Sequence, residues 1–541
     1  MESDSYQTPE ENTSTLVMPA VDSDHLSDDI SPTPDDDSTY TESYIPARID
    51  RLPWTWWHTY FVLALGVSWV LDGLEVTTIS LIGNILRSHT HGLGLSQAQV
   101  GYCGTVYVCG AVTGSLFFGF LSDRIGRRKL FFVAPSIYLC STFLTSLTFF
   151  KLWLFVCLFF TGFGIGGEYS AMNSAINELI PSRVRGVISI LINGTYWAGA
   201  AIGGTLSTLL LDTIGLYFPT IGWRLPWILG AVMGVLIFIA RIRLPESPRW
   251  LLSRGRTEDA DKIVLKLERY VEKHGRKKKT FVRPTSDEHA GELGIPSTVI
   301  NRKPVPYSIV LKAVFTQYKT RSFLCFTLMV CQAFFYNAVF FSYSSILTVY
   351  YGVPDYDTGL FIVPFAIGNY SGAVVLGQLF DRIGRKPAIS GTFALSGILL
   401  IVTGVMFLAD MFNALTQTMA WSAVFFVASS AASSGYLTIS EVFPAEMRAA
   451  AIAIFYSSGT ALGGMLGPVI FSHLIKKDNK MTLFAGYVFV SILMIFAAIT
   501  ELVIGIETAG KSLEDISKPL GAVERPKTSD READAQPLLA E

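Results

Sequence analysis

The sequence predicts an all-α membrane protein, with twelve spanning helices built as two six-helix halves. Three observations carry this expectation. Half of the 541 residues are hydrophobic and only 16% are charged, with a mean hydropathy of +0.42, whereas soluble domains carry about 25% charged residues. Long apolar segments recur along the chain, each near the roughly 20 residues needed to cross about 30 Å of hydrocarbon. Finally, the charged motifs of the first six segments return in the same order in the last six. Such a chain is too apolar for nucleic-acid work and too rich in apolar runs for a soluble enzyme.

Taken in order, residues 1–47 hold twelve Asp/Glu and no Lys or Arg, so the net charge of −2 divides into −12 on this tail and +10 on the remainder. Rich in Ser, Thr and Asp with scattered Pro, it is expected to be a disordered cytoplasmic tail. It has no apolar signal-peptide core, so the first span is expected to direct its own insertion. The first half, 48–243, contains apolar segments near 57–87, 97–121, 130–150, 152–179, 186–211 and 224–243. The stretch 244–321 carries seventeen Lys/Arg against nine Asp/Glu and reads as a central cytoplasmic loop. Within it, 257–274 has helical spacing, with Ile263, Leu267 and Val271 four apart, as in a surface helix. The basic run Arg276–Lys279 is a candidate contact for anionic lipid or a solvated loop. The second half, 322–508, has segments near 322–350, 357–379, 388–409, 412–440, 449–474 and 482–505, and 509–541 forms a C-terminal cytoplasmic tail. Segments longer than 20 residues imply tilt or extension into the interface.

Basic residues set the orientation. Arg124, Arg127, Arg128 and Lys129 follow span two, Arg183 and Arg185 span four, Arg382, Arg385 and Lys386 span eight, and Arg448 span ten, all on one side with the central loop. That side is expected to be cytoplasmic; only Lys476, Lys477 and Lys480 dissent. The six cysteines all fall inside spans without metal-site spacing, so they read as small packing residues, and no metal or cofactor is expected.

Ser-Asp-Arg-Ile-Gly-Arg-Arg-Lys at 122–129 recurs as Phe-Asp-Arg-Ile-Gly-Arg-Lys-Pro at 380–387, an offset of 258. Glu178, Pro181 and Arg185 recur as Glu441, Pro444 and Arg448 at 263, and Glu246 finds Glu507 at 261. Three signatures at nearly one offset describe a parallel duplication. The stretch Gly119-x-x-x-Asp123-Arg124-x-Gly126-Arg127-Arg128 and its second copy resemble the signature loop of the major facilitator superfamily, over about 48–516. Pro245-Glu246-Ser247-Pro248-Arg249-Trp250 resembles that superfamily's sugar-porter branch, as does Glu507-Thr508-x-Gly510-Lys511-Ser512-Leu513-Glu514. The resemblance implies alternating access around a central substrate site between the halves.

The charged motifs sit where carboxylates and guanidiniums can pair across helices when the cavity faces outward and separate when it opens inward. Shielded charge-assisted pairs are strong enough to bias that equilibrium. The cytoplasmic gate is therefore assigned to Asp123, Arg127, Glu178, Arg185, Glu246 and Arg249 in the first half, and to Asp381, Arg385, Glu441, Arg448 and Glu507 in the second. Topology determination and ordinary helix capping are the alternative.

Carboxylates inside spans are costly and mark function. Asp72 and Glu75 lie three apart on span one, read as sharing a face, and Glu168 lies within span four. Gly166-Gly-Glu-Tyr169 resembles the corresponding stretch of metabolite:proton symporters. All three are candidate proton-coupling groups, with Glu168 foremost; a buried pair with an arginine or a Ser/Asn network is the alternative for Glu168. Amides and phenols in the spans suit hydrogen bonding to a solute without the desolvation cost of a charge: Asn193, Tyr196, Trp197, Gln332, Tyr336, Asn337, Asn369, Tyr436 and Tyr456, with Tyr343 and Tyr370 beside them. Gln332 and Asn337 are similar to the Gln…Asn pair of sugar porters, but Cys331 and the run Ala431–Gly435 depart from the hexose-carrier pattern.

The expected function is secondary active transport, with protons, of a small polar organic solute, an organic acid by preference. A facilitative sugar or polyol carrier and a non-transporting sensor on the same fold stay open. No nucleophile–base pair or nucleotide loop points to an enzyme. A monomer in the plasma membrane is the default, and Asp534-Ala-Gln-Pro-Leu538-Leu539 fits a dileucine signal for a vacuolar or endosomal route.

Overall fold

A computed structural model describes residues 40–517, apart from 88, 91, 275–283, 285–292, 294, 296–297, 302–306, 354–357, 445–446, 476–478 and 512. Among the described residues, twelve helices are long and apolar enough to cross a membrane. They are α1 (Trp56–Arg87), α2 (Gln97–Ile125), α3 (Arg127–Ser146), α4 (Lys151–Leu179), α5 (Arg185–Tyr217) and α6 (Leu225–Arg241), then α7 (Lys319–Tyr351), α8 (Thr358–Arg382), α9 (Arg385–Leu408) and α10 (Ala414–Val442). The helix α11 begins as Arg448–Gly459, passes through a π turn at Thr460–Gly464 and resumes as Met465–Leu474; α12 is Lys480–Ile504.

The expected span positions and these helices agree closely, and one difference that recurs in both halves has a local cause. The third and ninth spans begin at once after the signature loop, because Gly126 and Gly384 turn the chain at φ +97° and +101°. A positive φ of this kind is open to glycine and strained for residues with a Cβ.

Close packing follows the glycines. A Cβ on Gly110 or Gly114 of α2 would strike the carbonyls of Phe159 or Phe163 on α4, and one on Gly162 or Gly166 would strike Tyr107 or Ala111 in return. Gly368 and Gly372, at the same 258-residue offset, bring α8 equally close to α10 through the Ser422 and Phe426 carbonyls. Small residues let backbones approach in this way where lipid gives helices no hydrophobic reason to associate. The halves meet along α5 with α8 and α2 with α11, pairs related by the repeat. The apolar window of α10 is 78% buried and that of α6 only 33%, so α10 is interior and α6 turns an apolar stripe outward.

Two features differ from expectation. Residues 40–47, the end of the stretch expected to be disordered, lie in regular elements and their connection. Tyr40–Ser43 pairs antiparallel with Thr298–Asn301, and a short helix follows at Ile45–Asp50. Arg48 explains the early order: it is buried and donates to Glu268 at 2.8 and 3.1 Å and to Asp261 at 2.7 Å, an anchoring invisible to composition. The surface helix is present as Thr257–His274, but its buried stripe is Ala260, Val264, Leu267 and Val271, with Ile263 only half-buried at its edge. The basic run 276–279, residues Lys476 and Lys477, the tail 1–39 and the dileucine segment lie outside the described residues. Lys480 pairs with Asp410 across the end of the bundle opposite the signature loops.

Candidate functional site

Two sites emerge: a cavity between the halves and a charged cluster at the signature-loop rim. The cavity, of about 210 Å³, is bounded by α1, α2, α4 and α5 of the first half and α7, α10 and α11 of the second. Eight of the nine expected solute-binding residues line it: Asn193, Tyr196, Trp197, Gln332, Tyr336, Asn337, Tyr436 and Tyr456. Asn369 stands one layer behind, accepting a hydrogen bond from the Tyr336 hydroxyl at 3.0 Å. Tyr343 packs away from the cavity, with its hydroxyl between Thr418 and the Phe361 carbonyl. Tyr370 is exposed on the outer surface.

Helix geometry separates the three carboxylates. Asp72 lines the cavity and accepts hydrogen bonds from the Tyr107 hydroxyl at one oxygen and the Tyr169 hydroxyl at the other. Both phenols arrive because the α2–α4 glycines bring those helices together, and Gly73 lets α5 close against α1 at the Tyr196 carbonyl. Residues three apart on a helix differ by about 60° in direction, and at the edge of a cavity that offset is decisive. Glu75 does not share the cavity face with Asp72 but turns between α1 and α3, where Thr142 donates to it at 2.5 Å.

Glu168 likewise points away from the cavity. It forms an ion pair with Arg241 at 2.9 Å, both fully or almost fully buried, and Arg241 also donates to Ser68 and the Ala64 carbonyl. Its neighbour Tyr169 points inward. The Gly-Gly-Glu-Tyr stretch thus sends its acid to α6 and its phenol to Asp72. Breaking a buried pair by removing one partner costs about 3–5 kcal/mol, whereas an apolar pair in its place can be neutral. Arg241→Leu is therefore expected to lower the thermal unfolding temperature of the purified protein sharply, and Glu168→Leu/Arg241→Leu to regain most of the loss. A single variant as stable as wild type would contradict a structural role for this pair.

Several cavity residues were not identified from the sequence. Trp69 stacks on Tyr169 with ring centroids 4.2 Å apart, and Tyr169 meets Tyr456 edge-on at 4.9 Å. Thr460 opens the π turn of α11, held close to α7 by Gly463 against Ala333 and Phe334. The Gly459, Gly463, Gly464 series was the available signal, since π turns frequently sit at functional sites. No Lys, Arg or His is among the described residues lining the cavity, and Asp72 is the one carboxylate there.

At the rim the two halves repeat one arrangement. Arg127 pairs with Glu178 at 2.9 Å, and Arg385 with Glu441 at 3.2 Å and with Asp381. Glu246 accepts from the Arg127 and Arg128 amides at the start of α3, at 2.9 and 3.2 Å; Glu507 does the same for Arg385 and Lys386 at the start of α9, at 2.8 and 3.2 Å. These are the unpaired first-turn N–H groups that favour a negative charge. Burial pushes the Glu246 carboxyl up, while these amides, the Ser247 amide and the Arg127 charge pull it back.

Among the described residues, two contacts join the halves across the rim. Arg448 lies 3.8 Å from Glu178, and Asp381 accepts from the Val187 amide in the first turn of α5 at 2.9 Å. Arg185 and Arg249 meet on Asp50, at 3.2 and 3.1 Å, an acid outside the expected gate residues. The side chain of Asp123 lies outside the described residues.

A duplicated twelve-helix bundle with a cavity between its halves and paired charges at one rim defines a membrane transporter of the major facilitator fold. The family model for sugar (and other) transporters matches residues 62–520, and the chain belongs to that family. It is 25% identical over 478 residues to the niacin transporter NiaP of Acinetobacter baylyi, covering 87% of this chain and 99% of that protein. It is 27% identical over 476 residues to the arabinose-proton symporter of Bacillus subtilis, covering 84% and 93%. Among solved structures, the proton:xylose symporter XylE bound to 6-bromo-6-deoxy-D-glucose superposes with a TM-score of 0.68 at 20% identity, covering 85% of this chain and 98% of that one. The chain is thus a multi-pass integral membrane transporter of the sugar-porter type, and its relatives are carriers rather than enzymes.

Proposed function

We propose that the protein is a proton-coupled symporter of a small organic acid, with Asp72 as the proton-holding group. The observation that carries this reading is the position of Asp72: the one carboxylate among the described residues on the wall of a cavity whose other polar groups are amides and hydroxyls, set among aromatic and small aliphatic side chains. An organic anion entering this space meets no lining cation among the described residues to offset the Asp72 charge. A proton on Asp72 removes that repulsion, so the anion binds the protonated carrier and leaves it when the proton leaves. Coupling then follows from charge balance, since solute and proton stabilise each other's binding reciprocally. Gln332 and Asn337 supply amide hydrogen bonds to the carboxylate, and the Trp69 and Trp197 rings stack on its planar or acyl part. The likeness to NiaP and to an arabinose-proton symporter supports both the coupling and the size of solute.

A second reading rests on the same wall. Aromatic faces around one carboxylate also suit an organic cation. One experiment separates the two. The full-length protein is reconstituted in liposomes with an inward proton gradient and offered radiolabelled aromatic and aliphatic monocarboxylates, sugars, polyols and quaternary ammonium compounds. Gradient-driven accumulation of a monocarboxylate is expected. Gradient-independent equilibration of a sugar favours facilitated diffusion. Cation uptake that external acid inhibits replaces the acid by a cation, and no uptake of any solute leaves the sensor.

A further inference from the structure

On the signature-loop rim, beside the charged cluster and sharing Glu246 with it, a second hollow of about 1130 Å³ lies between the start of α1, the start of α3, the end of α6 and the surface helix Thr257–His274. Its walls carry six basic side chains and two acidic ones. Asp259 is engaged by Arg256 at 2.8 Å and Lys262 at 3.6 Å, and Glu246 is held by the amides of α3. The other four cations, Arg128, Lys129, Arg243 and Lys266, have no carboxylate within ion-pair distance among the described residues. Four like charges gathered on one concave surface await an anion of more than one charge.

The opposite wall is apolar and leads out of the hollow. Trp56 is 67% exposed, and from Ile242 the exposed side chains Ile239, Leu236 and Val232 continue along α6 at helical spacing. They form the outward stripe of the helix with the least buried apolar window. Indole rings sit at membrane–water interfaces, and basic clusters beside a spanning helix attract anionic headgroups. A soluble phosphate compound would use the cations and leave this stripe unexplained; a molecule with an anionic head and acyl chains uses both.

We infer that this hollow is a binding site for an anionic phospholipid, its phosphorylated headgroup held by Arg128, Lys129, Arg243 and Lys266 and its chains laid along α6. The test uses full-length protein in a neutral detergent, titrated with mixed micelles of phosphatidylinositol 4-phosphate, the apparent affinity being read from the rise in unfolding temperature. Each basic residue near the surface contributes about fivefold in affinity. Lys129→Gln/Arg243→Gln/Lys266→Gln is thus expected to weaken binding roughly 100-fold, while Arg269→Gln/Lys273→Gln/Arg382→Gln, equal in charge but outside the hollow, changes it little. Equal weakening in both variants would mean a general surface attraction and overturn the site. Binding of the chain-free glycerophosphoinositol phosphate as tight as that of the lipid would overturn the lipid in favour of a soluble phosphate ester. No stabilisation of wild type beyond that given by phosphatidylcholine micelles would remove the proposal altogether.

Discussion

Asp72→Asn is expected to abolish proton-driven accumulation while leaving exchange of solute across the membrane in place. The amide imitates the protonated acid in size and neutrality. It retains a carbonyl oxygen to accept from one of the two phenols, Tyr107 or Tyr169, that meet the carboxylate. A carrier fixed in the neutral form binds an anionic solute without waiting for a proton, so labelled solute still equilibrates in counterflow. What disappears is the link to the gradient. Coupling energies of 1–3 kcal/mol correspond to factors of about 5–150, and accumulation at a given gradient should fall roughly 100-fold. Glu168→Gln supplies the comparison. With its charge committed to Arg241, its main expected effect is on stability, and protein that survives reconstitution should still respond to the gradient. Accumulation unaffected in Asp72→Asn but lost in Glu168→Gln would move the coupling to span four, where the sequence alone put it first.

The pairing of Glu168 away from the cavity shows what a sequence read one residue at a time conveys. The spans, the duplication and the rim motifs are legible because each depends on residues close in sequence: an apolar run, a glycine turn, an acid at a fixed distance from an arginine. Which carboxylate faces the cavity depends on partners far away. Glu168 looks like an intramembrane charge until Arg241, 73 residues on, is seen beside it. Arg241 itself reads as one more positive residue at a span end. Asp72 gains its character from phenols on α2 and α4, and Asp50 joins the rim only because the helix of residues 45–50 is docked by Arg48. The aromatic cavity wall was half legible. Tyr196, Trp197, Tyr336, Tyr436 and Tyr456 are among the residues expected from the sequence, Tyr169 enters there only within the Gly-Gly-Glu-Tyr stretch, and Trp69 and Tyr107 carry no signal beyond their aromatic type. Aromatic type alone gives no direction; helix rotation does.

Weakening the rim should open it, and the two contacts that cross between halves predict by how much. Asp381 acts on both sides of the boundary: it pairs with Arg385 of its own half and accepts from the Val187 amide of the other. Asp381→Asn keeps an oxygen for the amide but loses the charge that favours a helix N-terminus, and such end effects amount to about 0.3–2 kcal/mol. Glu178→Gln reaches further, since Glu178 lies within 4 Å of both Arg127 from one half and Arg448 from the other. Removing the charge from a buried pair costs about 3–5 kcal/mol, but the cost falls on the closed arrangement, where Arg448 is near. An open rim separates Arg448 from Glu178 in any case, so part of that loss is a shift of population rather than of folding. A cysteine at Ser189, buried one turn inside the rim on α5, reports the shift when the six native cysteines are replaced and an impermeant maleimide is applied from the signature-loop side. Labelling is expected to quicken about tenfold in Glu178→Gln, a factor equivalent to 1.4 kcal/mol of the closed state's advantage, and by less in Asp381→Asn. Rates equal to wild type in both variants, with transport unchanged, would reduce these charges to topology signals and helix caps.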